Sequence, residues 1–150
     1  MISTQFREHI AASEIDGVWT FPDNPDAIPR DKGAYALALC LGGPVDLEIN
    51  RTCRGRLMPG WYFYLGSARG SGGLAARLKR HFREKKKLHW HVDRLTVQTI
   101  AMAALAVPDG NECELADGLL ATPWFKIALA GFGSTDCRRC DSHLLMAAPD

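Results

Sequence analysis

The sequence predicts one compact α/β (α+β) domain, and three features predict it. The 150 residues suffice for a single core and are too few for two ordinary domains. Apolar residues make up 47% and charged residues 23%, the balance of a globular chain and not of a disordered or fibrous one. The hydrophobic period also changes along the chain, from strand-like alternation before residue 66 to a helical period after residue 73.

The elements follow in order. Phe6, Ile10 and Ile15 suggest a short helix, and Pro22, Pro25 and Pro29 then fall in an acidic loop, so residues 1–32 read as an N-terminal extension to a domain over 33–145. Gly33–Leu41 alternates large residues (Tyr35, Leu37, Leu39, Leu41) with small ones (Ala34, Ala36, Ala38, Cys40), a strand suited to close packing on both sides. After Gly42-Gly43-Pro44, residues 45–50 alternate as an edge strand should. Pro59-Gly60 introduces residues 61–65, apolar on both faces and therefore central. Glycines 66, 70, 72 and 73 lead into a helix over 74–84. Residues 97–107 read as a strand or a buried helix, 111–121 as a helix, and 131–143 show no clean period.

The longest apolar run, residues 100–107, is too short to span a bilayer, and the first eight residues lack a secretion signal, so a cytoplasmic location and no membrane partner are expected. Five irregularly spaced cysteines fit free thiols in a reducing compartment. The formal net charge of +1 conceals an uneven distribution: residues 1–32 carry −3, residues 95–150 carry −4, and residues 69–94 carry +7. A local cationic block on an otherwise neutral chain suits a polyphosphate partner, and a solvated helix face is the plainer alternative.

On a helical wheel begun at Leu74, the residues Leu74, Leu78 and Phe82 form the buried stripe. Arg77 and His81 share its edge, while Lys79, Arg80 and Arg83 point away. An arginine at that border can aim its planar fork at a phosphate; a structural salt bridge is the alternative. His81 is either a catalytic contact or a helix-edge histidine bonded to a carbonyl. Lys85, Lys86 and Lys87 run into His89-Trp90-His91, where Trp90 either stacks on a base or lies in the core. Cys137, Cys140 and His143 have a spacing that could supply three zinc ligands, with Cys113 as a fourth. Gly70 to Ala75 fits G-x-G-x-x-A, but the following segment is too charged for a Rossmann strand, and no Gly-Lys-Ser/Thr follows to bind a nucleotide.

Gly33-Ala34-Tyr35 and Tyr64-Leu65-Gly66 are similar to the two half-motifs of the GIY-YIG nucleases, and Arg77 to Phe82 resembles that family's arginine-bearing helix. Residues 59–62, 87–95 and 131–144 resemble a branch of the superfamily sometimes fused to endonuclease III-type glycosylases. The chain departs from the family in the alanine of the first half-motif and in the glycine insertion. The resemblance implies a central, mainly antiparallel three-stranded sheet flanked by helices, and a metal-dependent endonuclease acting on nucleic acid, with DNA favoured. A noncatalytic nucleic-acid-binding module on the same fold is the other reading. The resemblance implies Tyr35, Tyr64 and Arg77 as catalytic residues, with Tyr35 helping to activate water, and one Mg²⁺ or Mn²⁺ on a glutamate near residue 113; His81, beside Arg77 on the helix edge, is the further catalytic candidate. The basic contacts to the nucleic acid would come from Lys79, Arg80, Lys85, Lys86, Lys87, His89 and His91. Between the two candidate glutamates, Asn111 as N-cap puts Glu114 at the capping-box position and turns Glu112 toward the sheet, which makes Glu112 the expected metal ligand.

Overall fold

The computed structural model describes residues 8, 10, 15–133 and 140–147. Its strands are β1 (Val18–Thr20), β2 (Gly33–Leu41), β3 (Val45–Glu48), β4 (Arg54–Leu57), β5 (Gly60–Ala68), β6 (Thr99–Pro108), β7 (Phe125–Ile127) and β8 (Leu144–Ala147). The helices are α1 (Gly73–Phe82), α2 (Asp93–Thr96) and α3 (Glu112–Leu120). Six strands form one sheet in the order β1-β6-β2-β5-β8-β7, with antiparallel neighbours throughout, and β3 pairs with β4 in a separate ribbon.

The alternation of β2 sets the layering. Tyr35, Leu37, Leu39 and Leu41 enter one core with Leu74 and Leu78 of α1 and Leu95 of α2. On the opposite face Ala34, Ala36 and Ala38 enter a second core with Leu115, Ala116 and Leu119 of α3. Small side chains on that face let a helix lie close to the backbone, and both cores exclude water from a sheet with apolar residues on its two sides. No helix among the described residues is long and apolar enough to cross a membrane.

The expected mixed, mainly antiparallel architecture is present, with three differences of extent. The sheet has six strands where three were expected, because β1, β7 and β8 each add a stretch of three or four residues, too short to show a period. Leu144 and Leu145 of β8 are both fully buried, one in each core, so no polar face marks that strand in the sequence. Residues 45–50 do alternate, but they leave the main sheet: the Asn50 side chain accepts hydrogen bonds from the backbone N–H groups of Thr52 and Cys53, folding β3 back on β4. Of residues 97–107, open between strand and helix in the sequence, those from Thr99 on belong to strand β6, paired with β2, and the first two form the turn after α2. Since β1 pairs with β6 and Ile10 is buried against α3, part of the 1–32 segment belongs to the fold; Phe6 lies outside the described residues.

Candidate active site

The β2–β5 register brings the two tyrosines together. Tyr35 lies opposite Gly66 and Leu37 opposite Tyr64, so both phenols rise from the same face, with ring centroids 6.3 Å apart. Gly66 is required there because a Cβ would overlap the Tyr35 ring.

Helix α1 crosses this face. It starts after a glycine turn in which Gly72 (φ +85°) and Gly73 (φ +58°) adopt left-handed backbone, and its first turn is tied down by the Leu74 N–H donating to the Asp31 carbonyl at 2.9 Å. One turn in, Arg77 is half-buried, and His81, expected at the helix edge, is fully buried. The Tyr35 hydroxyl and His81 Nε2 are 2.6 Å apart. Burial, with Lys86 adding to it, pulls the His81 pKa down to about 3, so the imidazole is neutral. Burial and the neighbouring Tyr64 push the Tyr35 phenol well above its ordinary range, against the opposing effect of the nearby Arg77 charge. The Tyr35 hydroxyl and Nε2 of the neutral imidazole share this hydrogen bond, and His81 Nδ1 is buried without a hydrogen-bond partner among the described residues.

Arg77 also packs over the Trp90 ring, 4.1 Å from its centroid, and Arg80 packs over the same ring at 4.1 Å. Arg80, expected to point outward, instead reaches the start of α2, where it forms a two-pronged pair with Asp93 at 2.8 and 2.7 Å. Asp93 Oδ2 further accepts from the backbone N–H groups of His89 (2.8 Å) and Trp90 (2.9 Å). Burial by itself would raise the Asp93 pKa, but Arg80 and these two donors hold the carboxyl well below the usual carboxylate range. Lys86 is similarly engaged: its ammonium donates to the carbonyls of Arg80 (3.0 Å) and His81 (2.6 Å) at the end of α1, and burial lowers its pKa to about 8. Lys79 lines a separate cleft with Pro22, Asp26 and Phe82. Lys85, Lys87, His89 and His91 are exposed.

Two open cavities meet at Arg77. One, of about 280 Å³, is bounded by Gly70, Ser71, Gly73, Arg77, Arg80 and Trp90. The other, of about 220 Å³, is bounded by Tyr64, Ser67, Arg77, Glu112, Gly133 and His143. Tyr35 and His81 line neither; they stand behind Arg77 and Tyr64. Glu112 is the first residue of α3, and Asn111 caps the helix by accepting from the N–H groups of Cys113 (2.9 Å) and Glu114 (3.1 Å). As the wheel required, Glu112 faces the cavity and Glu114 faces solvent. Burial raises the pKa of Tyr64 against the opposing effect of Arg77, leaving a neutral phenol at the cavity wall.

Three contributions escaped the sequence. Asp93 is a hub for a loop and a helix, Lys86 is a helix cap, and His143 lines the same cavity as Glu112. The first two had a signal in the chain: each sits a few residues beyond a helix end whose carbonyls or arginines need partners. Cys113, Cys140 and His143 gather beside this cavity, while Cys137 lies outside the described residues. A family described as "Domain of unknown function DUF123" matches residues 34–150. No curated protein and no solved structure matches.

Proposed function

The chain belongs to the DUF123 family, and from that premise and the chemistry of the cavity we propose that it is a divalent-metal-dependent endonuclease that hydrolyses phosphodiester bonds in nucleic acid, DNA being the favoured substrate. The observation that carries this reading is the convergence of a guanidinium, a neutral phenol and a carboxylate, from Arg77, Tyr64 and Glu112, on one open cavity of about 220 Å³. Phosphodiester hydrolysis needs a cation on the non-bridging oxygens, an activated water and help for the leaving oxygen. The GIY-YIG resemblance of the paired segments around Tyr35 and Tyr64 supports the same reading.

Arg77, packed over the Trp90 ring and close to the buried Tyr35 phenol, presents a pre-oriented fork to the phosphate. Tyr64 offers an O–H to a phosphate oxygen. Glu112 is a half-buried carboxylate in the wall of an open cavity, which fits a hard cation that keeps most of its own waters. When bound there, Mg²⁺ or Mn²⁺ would supply a water of lowered pKa and neutralise charge on the phosphate. Tyr35 takes a different part from the one expected of it: buried, un-ionised and bonded to His81, it is a positioning residue for Arg77 and not the base.

Incubation of the protein with plasmid, forked and single-stranded DNA and with RNA, in Mg²⁺, Mn²⁺ or EDTA, tests the proposal; nicking with either metal and none in EDTA is expected. Titration calorimetry adds that Glu112→Gln abolishes Mg²⁺ or Mn²⁺ binding while Glu114→Gln leaves it. The burial of the Tyr35 hydroxyl favours a second reading, a noncatalytic nucleic-acid-binding module. Binding to any of these nucleic acids without cleavage under every metal would establish that reading instead.

A further inference from the structure

Beside the cavity, and independent of any nuclease activity, the geometry points to a second metal site of different chemistry: a zinc ion held by Cys113, Cys140 and His143. Their three donor atoms all lie within 4.8 Å of one another. Cys113 Sγ and His143 Nε2 are 3.8 Å apart. A tetrahedral zinc with Zn–S of about 2.3 Å and Zn–N of about 2.0 Å separates its donors by roughly 3.5–3.8 Å, so a contraction of a few tenths of an ångström to about one ångström closes the site.

The donors come from separate parts of the fold. Cys113 sits in the first turn of α3, where the helix dipole favours the negative charge a thiolate brings, and it is 9% exposed. Cys140 and His143 lie on the segment that leads into β8. His143 is the rigid member: its N–H donates to the Phe132 carbonyl at 2.9 Å, and its own carbonyl accepts from the Leu65 N–H of β5 at 2.9 Å. Its side chain lines the same cavity wall as Gly133.

Two thiolates and an imidazole select zinc over Mg²⁺ or Mn²⁺, so this site does not compete with a hard cation at Glu112. It has a structural consequence for that glutamate. Glu112 directly precedes Cys113, and a zinc ion joining Cys113 to Cys140 and His143 would clamp the start of α3 to the β8 segment that pairs with β5. The carboxylate would then be held against the cavity by a metal it does not touch.

The test uses the full chain purified under reducing conditions without chelator. Elemental analysis should give one zinc per chain, and zinc-edge X-ray absorption should show at least two sulfur scatterers. The metal-stripped protein titrated with Co²⁺ should show thiolate-to-cobalt charge transfer and intense tetrahedral ligand-field bands. Cys113→Ser and Cys140→Ser should lose the charge transfer and the bound zinc, whereas Cys40→Ala, at the far end of β2, should keep both. The absorption experiment on the unaltered protein decides the matter even where a serine variant does not fold. A zinc shell of oxygen and nitrogen alone, a cobalt spectrum unchanged in Cys113→Ser, or an intact mass two hydrogens short from a Cys113–Cys140 disulfide would each overturn the site.

Discussion

In the N-terminal half of α1, Arg77 leans on Trp90 and opens onto two cavities; three residues later, Arg80 leans on the same indole but spends its guanidinium on a buried carboxylate. The two side chains share a helix, a charge and an aromatic partner, and the ground between them is Asp93. The C-terminal end of the helix has consumed its cations internally, Arg80 on Asp93 and Lys86 on two carbonyls, while Arg77 in the N-terminal half faces the two open cavities. A run of nine basic residues is therefore not one surface. Its members divide into those that hold the loop and those that face outward.

The comparison breaks most readily at Asp93. Asp93→Ala would leave Arg80 without its partner and free the N–H groups of His89 and Trp90, and a loss of about 3 kcal/mol or more in denaturant unfolding is expected. A loss below about 1 kcal/mol would mean the C-terminal end is not built on this pair. Arg77→Ala should do the reverse. Unfolding free energy should move by less than about 1 kcal/mol, the scale of one cation–π contact, while metal-dependent nicking falls by roughly two to three orders of magnitude. Tyr35→Phe, acting through Arg77, should lower kcat with KM nearly unchanged. A parallel rise in KM would instead give the phenol a binding role.

His81 sharpens the comparison through pH. Its folded pKa of about 3 lies below the ordinary 6.5, so as pH falls through that interval the unfolded chain takes up a proton that the folded chain refuses. Stability should decline with falling pH by up to about 1.4 kcal/mol per unit below about pH 6.5, with Asp93 adding its own loss only below about pH 4. In His81→Gln the decline between about pH 6 and 4.5 should flatten; an unaltered slope would show that His81 does not carry it. The smallest effect belongs to the outward cations. Lys85→Ala with Lys87→Ala should reduce the slope of log K against log salt by about 0.9 for each phosphate no longer neutralised, with unfolding unchanged. Lys86→Ala should leave that slope alone and cost about 1 kcal/mol of stability.

What the sequence disclosed is what a short window contains. The large-and-small alternation of β2, the Leu74–Leu78 stripe and the Asn111 cap each depend on residues within a few positions of one another, and each is present as expected. The sheet edges are not legible in that way, because strands of three or four residues carry too little pattern to identify them. Arg80 shows a different failure. The wheel gives its direction relative to the buried stripe correctly, but residues 87–93 fold back over that side of the helix, and no helical period anticipates a loop. Of the site, Tyr64, Arg77 and Glu112 were legible by position, whereas the burial of Tyr35 and His81 arises where a strand and a helix meet, and neither encodes it alone.

Gly66 has no functional group, yet the Tyr35 ring fills the volume its side chain would need. An added methyl group would push on a phenol whose oxygen bonds His81, and the displacement would pass to the imidazole and to the helix that carries Arg77. A substitution scan would rank this glycine beside the tyrosine it makes room for, and a map of essential positions would count as chemistry what is only headroom.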